Sequence, residues 1–365
     1  MKIILLVARD GFSFINQAEA LSKGLRIVNI DHKIIRIVDE FPEKEIREYN
    51  PDCILGIGSW HSYKDFVEKP RFLGIRAVPW IVSDDAFDTF VNEYNELDLI
   101  LTTSEYCKSV FVQGGIKKDI VKVVPEAVND GFWKPILDED LLPFIKRISI
   151  THSEIVLPQT FDLEKIKEKG IPILFTTGGD ATSKGALEVI AALGRLDRSV
   201  PWIYILKTWP SEFSFGRSIL ELALAEKLGI RDRLKYIVGE FSDEFMLGLM
   251  NLCDIYVAPS RSEGFGLPLV EAQMCGKPVI TIAATAAQET IKDGKTGFLV
   301  GQDSESKSPR ADVKALSEIL AKLLSNPRLC EKLGSQGVAY SREHFSPEVI
   351  VNQLLKELTN QKYGH

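Results

Sequence analysis

Residues 254–282 read DIYVAPSRSEGFGLPLVEAQMCGKPVITI, and this stretch decides the fold. An apolar run ends near Ala258, and a polar turn follows it. Pro268 stands where the first turn of a helix tolerates proline, because the missing N–H would be unpaired there anyway. Gly276 fits the left-handed position that ends such a helix, and a second apolar run comes next. Strands that are apolar throughout, with a helix between them, are typical of a parallel sheet covered on both faces.

The same alternation of apolar runs and amphipathic stretches occurs twice along the chain. One series occupies residues 3–124, and a second begins near Pro172. We therefore predict an α/β protein with two Rossmann-like, doubly wound domains. A proline-containing stretch of mixed polarity fits neither series and is predicted to hold the linker. The predicted division is an N-terminal domain at 1–165, with the linker from about 134, a C-terminal domain at 166–345, and a last helix within 346–365.

Composition excludes several classes of function. The chain has 365 residues, of which 45% are hydrophobic and 26% charged, and a formal net charge of −7. An acidic chain lacks the basic field that holds nucleic acid, so no nucleic-acid partner is expected. No apolar stretch approaches the roughly 18 residues of a membrane helix, and the five cysteines form no CxxC pair. These features predict a cytoplasmic protein without a disulfide framework.

The turn at residues 263–271 suits a ligand that carries both phosphate and hydroxyl groups. Gly264 and Gly266 let the backbone approach a ligand closely, and the free N–H groups of a helix start attract anions. Glu263 and Glu271, with seven residues between them, would repel phosphate but accept strong hydrogen bonds from paired sugar hydroxyls. A nucleotide-linked sugar has both features. The residues alone equally allow a glycine-rich turn with two solvated glutamates.

The run from Glu263 to Glu271, followed by AQMCGKPVI, resembles the E-x7-E signature of the retaining glycosyltransferases of family 4, which have the GT-B fold. Further segments in the family's order resemble its other motifs. The resemblance implies two domains facing a cleft, with a C-terminal helix that crosses back to the first domain. The other matching segments are LTTSEYCKSVF at 101–111, VVPEAVNDGFWKP at 123–135, TTGGDATSKG at 176–185 and ETIKDGKTGFLV at 289–300.

The resemblance also implies roles for residues of the donor site. Glu271 would bind the ribose hydroxyls of a nucleoside diphosphate sugar, and Glu263 would bind hydroxyls of the transferred sugar. Lys184 would contact the diphosphate, where a cation stabilises the charge that develops on the leaving group; a solvated first-turn lysine is the alternative. Phe241 would lie by the nucleobase or belong to the core. The remaining predicted donor-binding residues are Gly11, Gly178, Gly179, Gly239, Glu240, Gly264, Phe265, Gly266 and Leu267.

The sequence departs from the family pattern at two points that bear on activity. Gly179 stands where the family usually has an arginine, so we expect Lys207 to supply the second positive charge, with Arg261 as the alternative. The histidine that often lies near the reacting sugar is also absent. Its place is taken by the segment VSDD at 82–85. Asp84 or Asp85 would then orient the acceptor or act as the base, and His61 is the nearest substitute for the histidine, although such residues at strand ends are more often structural.

No metal ion or other cofactor is expected. The segment Asp138-Glu139-Asp140 satisfies a DxD pattern, but it lies between two prolines of the predicted linker and is better explained as a solvated acidic loop. Lys184 and a helix N-terminus are available for the phosphates. The resemblance therefore implies a metal-independent transfer.

The sequence predicts a retaining glycosyltransferase that moves a sugar from a nucleoside diphosphate to an acceptor hydroxyl. The acceptor would be a glycan or a lipid-linked glycan precursor, which allows peripheral contact with the inner face of a membrane. A nucleotide-sugar epimerase of the same fold and a catalytically silent nucleotide-sugar-binding protein are the alternatives. A nicotinamide dehydrogenase is a distant third, because no GxGxxG follows the first strand.

Overall fold

A computed structural model describes residues 1–8, 12–37, 40–59, 64–81, 87, 89–137, 139–141, 143–144, 166–167, 169–178, 183–208 and 212–360, with backbone alone at residues 12 and 212–218. The chain forms two compact units. The first comprises Met1–Asp130, Glu263–Leu267 and Arg342–His365, and the second comprises Gly131–Ser262 and Pro268–Ser341. In the described part of the chain, no helix combines the length and the apolar character needed to cross a bilayer.

The first unit is built on a parallel six-stranded sheet with the order β2-β1-β3-β4-β5-β6. Its central strands are buried on both faces, which explains why their sequences are apolar throughout. The described elements of this unit are β1 (Lys2–Val7), α1 (Phe12–Ile27), β2 (Asp31–Arg36), α2 (Glu43–Tyr49), β3 (Cys53–Ile57), α3 (Asp65–Leu73), β4 (Arg76–Ile81), α4 (Val91–Tyr94), β5 (Ile100–Thr102), α5 (Glu105–Gln113) and β6 (Val121–Val123).

The second unit contains a second parallel six-stranded sheet, with the order β12-β11-β10-β7-β8-β9. Short 3₁₀ helices at Arg231–Arg233 and Ala286–Glu289 complete it. Its described strands and helices are β7 (Ile173–Thr177), α6 (Ala186–Leu193), β8 (Ile203–Thr208), α7 (Glu212–Lys227), β9 (Leu234–Val238), α8 (Asp243–Leu252), β10 (Ile255–Val257), α9 (Leu267–Met274), β11 (Val279–Ile282), β12 (Gly297–Val300), α10 (Val313–Leu324) and α11 (Pro327–Phe345). The last residues of α11, from Arg342, belong to the first unit.

The last helix, α12 (Pro347–Asn360), packs on α1 of the first unit. Ile350, Val351 and Leu354 are fully buried in the core that also contains β1 and α1. The helices approach closely at Gly24, where an added Cβ would collide with the carbonyl oxygen of Pro347. Glycine inside this helix therefore permits close packing of α1 on α12.

Gly24→Ala is expected to lower the free energy of unfolding by about 2 kcal/mol, although alanine is the better helix former, because the collision forces the two helices apart. Gly337→Ala is a matched control within α11, since its Cβ would meet Gln273 at an ordinary distance of 3.4 Å. Urea unfolding of both variants checks this. Equal or greater stability of Gly24→Ala would contradict the close packing of α1 on α12.

The strand order of the second sheet places a topological switch point between β7 and β10. The chain leaves β7 toward β8 and β9 on one side, and β10 continues toward β11 and β12 on the other. In open sheets of this kind, ligands bind outside the carboxyl ends of the strands at such a point. Here those carboxyl ends lead into residues 178–185 and 258–263. A ligand site is therefore expected beside these two segments.

The predicted fold class, two doubly wound Rossmann-like domains, is confirmed by the two sheets. The N-terminal part of the first unit ends at Asp130, whereas the predicted N-terminal domain extended to 165 with its linker from about 134. Residues 131–136 pack within the second unit, where Asn251 donates to the Lys134 carbonyl (3.1 Å) and accepts from the Ile136 N–H (2.8 Å). The assignment of Glu263–Leu267 to the first unit was not predicted.

Candidate functional site

The segments that follow β7 and β10 are held together at the switch point of the second sheet. The Arg261 N–H donates to the Ser183 carbonyl (2.8 Å), and the Ser183 hydroxyl donates to the Ser262 carbonyl (3.1 Å). Gly185 has a φ of 76°, and an added Cβ would collide with the Pro259 carbonyl oxygen. Glycine is therefore required at this position, which fixes Lys184 at the start of α6, beside the second segment.

Glu271 and Lys184 lie close enough to interact electrostatically. Both side chains are half-buried, with Glu271 on α9 and Lys184 just before α6. Burial raises the pKa of the Glu271 carboxyl to about 8, the negative charge of Asp243 adds to this rise, and the Lys184 charge opposes it. The predicted ribose acceptor and the predicted phosphate contact therefore occupy neighbouring positions in the second unit.

Lys207 is the penultimate residue of β8, on the same edge of the sheet and opposite Thr177 of β7. Its side chain is only 5% exposed. Burial lowers the pKa of its ammonium group to about 8, while the charge of Glu240 works in the opposite direction. The ammonium group lies 5.8 Å from the centre of the Phe241 ring. An anionic ligand at this position would favour the charged form of the buried ammonium group.

The other predicted residues of the second unit gather at this edge through backbone bonds. The Gly178 N–H donates to the Lys207 carbonyl (2.8 Å), and the Gly239 N–H donates to the Thr208 carbonyl (3.0 Å). Glu240 is exposed next to this turn. The half-buried Phe241 ring stacks on Phe245, with ring centres 4.6 Å apart. Phe241 thus has a core partner and also a face near Lys207, so both functions predicted for it remain compatible with its position.

The turn Glu263–Leu267 packs with the first unit. Glu263 is half-buried, Gly266 has a φ of 98°, and Phe265 is 5% exposed. The Phe265 ring meets the ring of Phe345 edge-on, with centres 5.4 Å apart. Leu267 begins α9 and Pro268 is its second residue, which agrees with the predicted helix start. An ordered turn presents the first glutamate of the signature.

Arg261, the alternative source of a second positive charge, is bound to another side chain. Its guanidinium makes a two-pronged contact with the buried Glu188 carboxylate on α6, with the Nη2 atom 2.9 and 2.8 Å from the two oxygens. Arg310 lies 3.5 Å from the same carboxylate. Arg261 therefore serves first to neutralise Glu188, and Lys207 is the better candidate for a phosphate contact.

Arg261→Met is expected to lower the free energy of unfolding by about 2 kcal/mol, because the buried Glu188 carboxylate loses its two-pronged partner. Arg195→Met, at an exposed position just after α6, is the control and should change stability little. Urea unfolding measures both. Unaltered stability of Arg261→Met would show that Glu188 does not depend on this partner.

Several predicted residues lie outside the described part of the chain, namely Gly11, His61, Asp84, Asp85 and Gly179. Their assignments to the donor and acceptor sides stay predictions. In the acidic segment Asp138-Glu139-Asp140, Asp138 is likewise not described, while Glu139 and Asp140 are exposed. Among the residues that are described, no three His, Cys, Asp or Glu side chains are grouped so that they could hold a metal ion.

Two features of the site were not predicted from the sequence. Asp243, the first residue of α8, acts on the Glu271 carboxyl, and Glu188 holds Arg261. Loops and strands separate Asp243 from Glu271 and Glu188 from Arg261 along the chain. No local spacing in the sequence therefore indicates either pair. A buried glutamate in α6, which is otherwise mostly apolar, was the one available signal for Glu188.

Comparison with known proteins supports the resemblance found in the sequence. Residues 163–339 match the family described as glycosyl transferases group 1. MMP alpha-(1->4)-mannosyltransferase of Mycolicibacterium hassiacum is 32% identical over 50% of this chain and 41% of its own length. The capsular polysaccharide biosynthesis glycosyltransferase CapM of Staphylococcus aureus is 33% identical over 30% of this chain and 26% of its own. The matches thus span less than half of these relatives.

A solved structure covers the whole fold. Anabaena HepE, crystallised in complex with UDP and glucose, superposes with a TM-score of 0.72 over 99% of this chain and 100% of its own, at 17% sequence identity. At that identity the likeness shows the fold, which is GT-B. Residues 163–339 thus resemble the glycosyl transferases of group 1, and the chain has the GT-B fold.

Proposed function

We propose that the protein is a retaining, metal-independent glycosyltransferase that moves a sugar from a nucleoside diphosphate sugar to an acceptor hydroxyl. The observation that carries the proposal is the proximity of the Glu271 and Lys184 charges beside the switch point, with Lys207 on the same edge of the sheet. A carboxylate for ribose hydroxyls and two cations for a diphosphate suit a nucleotide sugar. HepE, which has the same fold, was crystallised with UDP and glucose, which favours a uridine nucleotide.

In the proposed reaction, the bond between the anomeric carbon and the phosphate oxygen breaks, and its electron pair stays on the phosphate. Lys184 and Lys207 stabilise the negative charge that develops there. The acceptor oxygen attacks the same face of the anomeric carbon and passes its proton to the departing phosphate oxygen. Glu263 holds hydroxyls of the transferred sugar, and backbone N–H groups of residues 264–266 assist it. The acceptor is proposed to be a glycan or a lipid-linked precursor, reached at the inner face of a membrane.

A thermal-shift screen of UDP, GDP, ADP and their glucose and mannose conjugates tests the donor assignment. A ligand at 100 times its Kd should stabilise the protein by about 2.7 kcal/mol. One nucleotide is expected to stand out, and its sugar conjugate should bind at least as tightly. If none of these compounds shifts the unfolding transition, the proposed donor class is wrong.

Transfer itself is followed with the selected donor and a panel of sugar and glycolipid acceptors. Product formation with the anomeric configuration of the donor, read by NMR, is the expected result. Inversion of that configuration would contradict the retaining assignment. Donor conversion without any acceptor would instead indicate an epimerase, and binding without conversion would indicate a silent binding protein.

A further inference from the structure

The carbonyl oxygen of Gly264, in the turn that carries Glu263, is surrounded by hydrogen-bond donors. The Thr103 hydroxyl lies 2.6 Å from it, the Ser104 hydroxyl 3.1 Å, and the Cys107 thiol 3.3 Å. All four residues belong to the first unit. Two hydroxyl donors already match the two lone pairs of a carbonyl oxygen. One peptide group of the turn is therefore held firmly from one side.

The donors themselves are rigidly placed. Thr103 follows directly after β5, and Ser104 caps α5, where its hydroxyl oxygen accepts from the Cys107 N–H (3.1 Å). Ser104 is 1% exposed, Thr103 2% and Cys107 0%. Nothing in the proposed chemistry uses these three side chains. A buried set of donors aimed at one carbonyl is consistent with a role in holding that carbonyl.

Holding the Gly264 carbonyl also orients the next N–H group. In a trans peptide the C=O and the following N–H point in opposite directions, so the Phe265 N–H is directed away from Thr103 and Ser104. The Phe265 ring, packed edge-on against Phe345, restrains the same residue from its side chain. Rotation of the peptide plane between Gly264 and Phe265 would therefore break the hydrogen bonds to the Gly264 carbonyl.

We infer that Thr103, Ser104 and Cys107 are positioning residues, which hold the Gly264–Phe265 peptide so that its N–H faces the sugar of a bound nucleotide sugar. The inference rests on the proposed function. A preorganised N–H costs no reordering when the ligand arrives, whereas a freely rotating peptide would lose that advantage. The residues would act on the sugar part of the donor and not on its nucleotide part.

Thr103→Val removes the hydroxyl that makes the shortest bond while nearly keeping the shape of the side chain, and Thr103→Ser, which keeps the hydroxyl, is the matched control. Ser104→Ala is a second test, although it also removes the cap of α5 and so costs stability. Two measurements are made on each variant. Hydrogen exchange of the segment 263–267 reports on the turn without any ligand, and calorimetry gives the Kd values of UDP and UDP-glucose.

Thr103→Val is expected to speed exchange in segment 263–267 about fivefold and to weaken UDP-glucose binding about fivefold, with UDP binding unchanged, since one hydrogen bond of ordinary strength is lost. Thr103→Ser should behave as wild type. Unchanged exchange would overturn the restraint on the peptide. Faster exchange with equal losses for UDP and UDP-glucose would overturn the positioning role. Failure of wild type to bind either compound would refute the uridine donor, and the Kd comparison would then use the nucleotide and the sugar conjugate selected by thermal shift. The exchange result, which needs no ligand, decides on the restraint in either case.

Discussion

Glu271→Gln is expected to weaken binding of the nucleotide sugar about a hundredfold, because an amide replaces the charged acceptor of two ribose hydroxyl bonds. The side chain keeps its size in this substitution, so its packing in the free protein changes little. Calorimetric titration of the donor selected by the thermal-shift screen measures the loss. Glu244→Gln, at an exposed carboxyl in the first turn of α8, is the control and should bind normally.

The same substitution should change how stability depends on pH. Because burial raises the pKa of Glu271 to about 8, the folded protein keeps a proton on this group that the unfolded chain has already lost. Between the ordinary carboxyl pKa and pH 8 the folded state therefore binds more protons, and the free energy of unfolding falls as pH rises. Glu271→Gln removes this fall, so the variant should be more stable than wild type at pH 8.5 and similar to it near pH 4.

Urea unfolding at pH 4, 6 and 8.5 measures the difference in free energy of unfolding between each variant and wild type. This difference should grow with pH for Glu271→Gln and stay constant for Glu244→Gln. Parallel pH profiles for wild type and Glu271→Gln would show that Glu271 ionises in its ordinary range in the folded protein. An unchanged Kd for the nucleotide sugar would, separately, remove Glu271 from the ribose site.

The sequence predicted the fold well because its strands are strongly patterned. Strands β1 and β3 are apolar over nearly their whole length and are buried on both faces, and runs of this kind predicted the fold class. The short helices α2 and α4 carry no comparable pattern. α2 buries only Ile46, so its sequence EKEIREY shows no amphipathic period, and α4 is a single turn at Val91–Tyr94. Helices that bury so little leave no periodic signal.

The candidate site was predicted in part, and the limit is set by distance along the chain. Lys184 precedes α6, Lys207 lies in β8 and Glu271 lies in α9. The shared edge of one parallel sheet brings Lys207 and the segments bearing the other two together. That edge could be inferred from strand order. The bonds from Thr103 and Ser104 to Gly264, by contrast, join residues about 160 positions apart, and no spacing in the sequence indicates them.

Lys207→Met is expected to stabilise the free protein by about 3 kcal/mol at pH 7 and to weaken the nucleotide sugar strongly. Burial lowers the pKa of Lys207 to about 8, so its charge is kept below that pH only at a cost to folding. The cost is fully present below pH 8 and disappears as pH rises toward the ordinary lysine pKa. Lys235→Met, a half-buried lysine of β9, is the control. Lower stability of Lys207→Met at pH 7 would contradict the folding cost assigned to the buried charge. Unchanged binding of the nucleotide sugar would contradict the phosphate contact.

The two perturbed groups predict opposite proton movements when a nucleotide sugar binds. Hydroxyl bonds favour the charged Glu271 carboxylate, which releases its proton, and a diphosphate favours the charged Lys207, which takes one up. With both pKa values at about 8, binding at pH 7 should release about 0.9 proton from Glu271 and take up about 0.1 at Lys207, and at pH 9 the two amounts exchange. Net release below pH 8 should therefore become net uptake above it.

Calorimetry in buffers of different ionisation enthalpy, at pH 7 and pH 9, measures this net number of protons. Glu271→Gln should leave only the uptake, and Lys207→Met only the release, if each variant still binds at the higher ligand concentrations needed. A change from net proton release to net proton uptake near pH 8 requires the ligand to contact both Glu271 and Lys207. Release at both pH values would exclude Lys207 from the phosphate site, and uptake at both would exclude Glu271 from the ribose site.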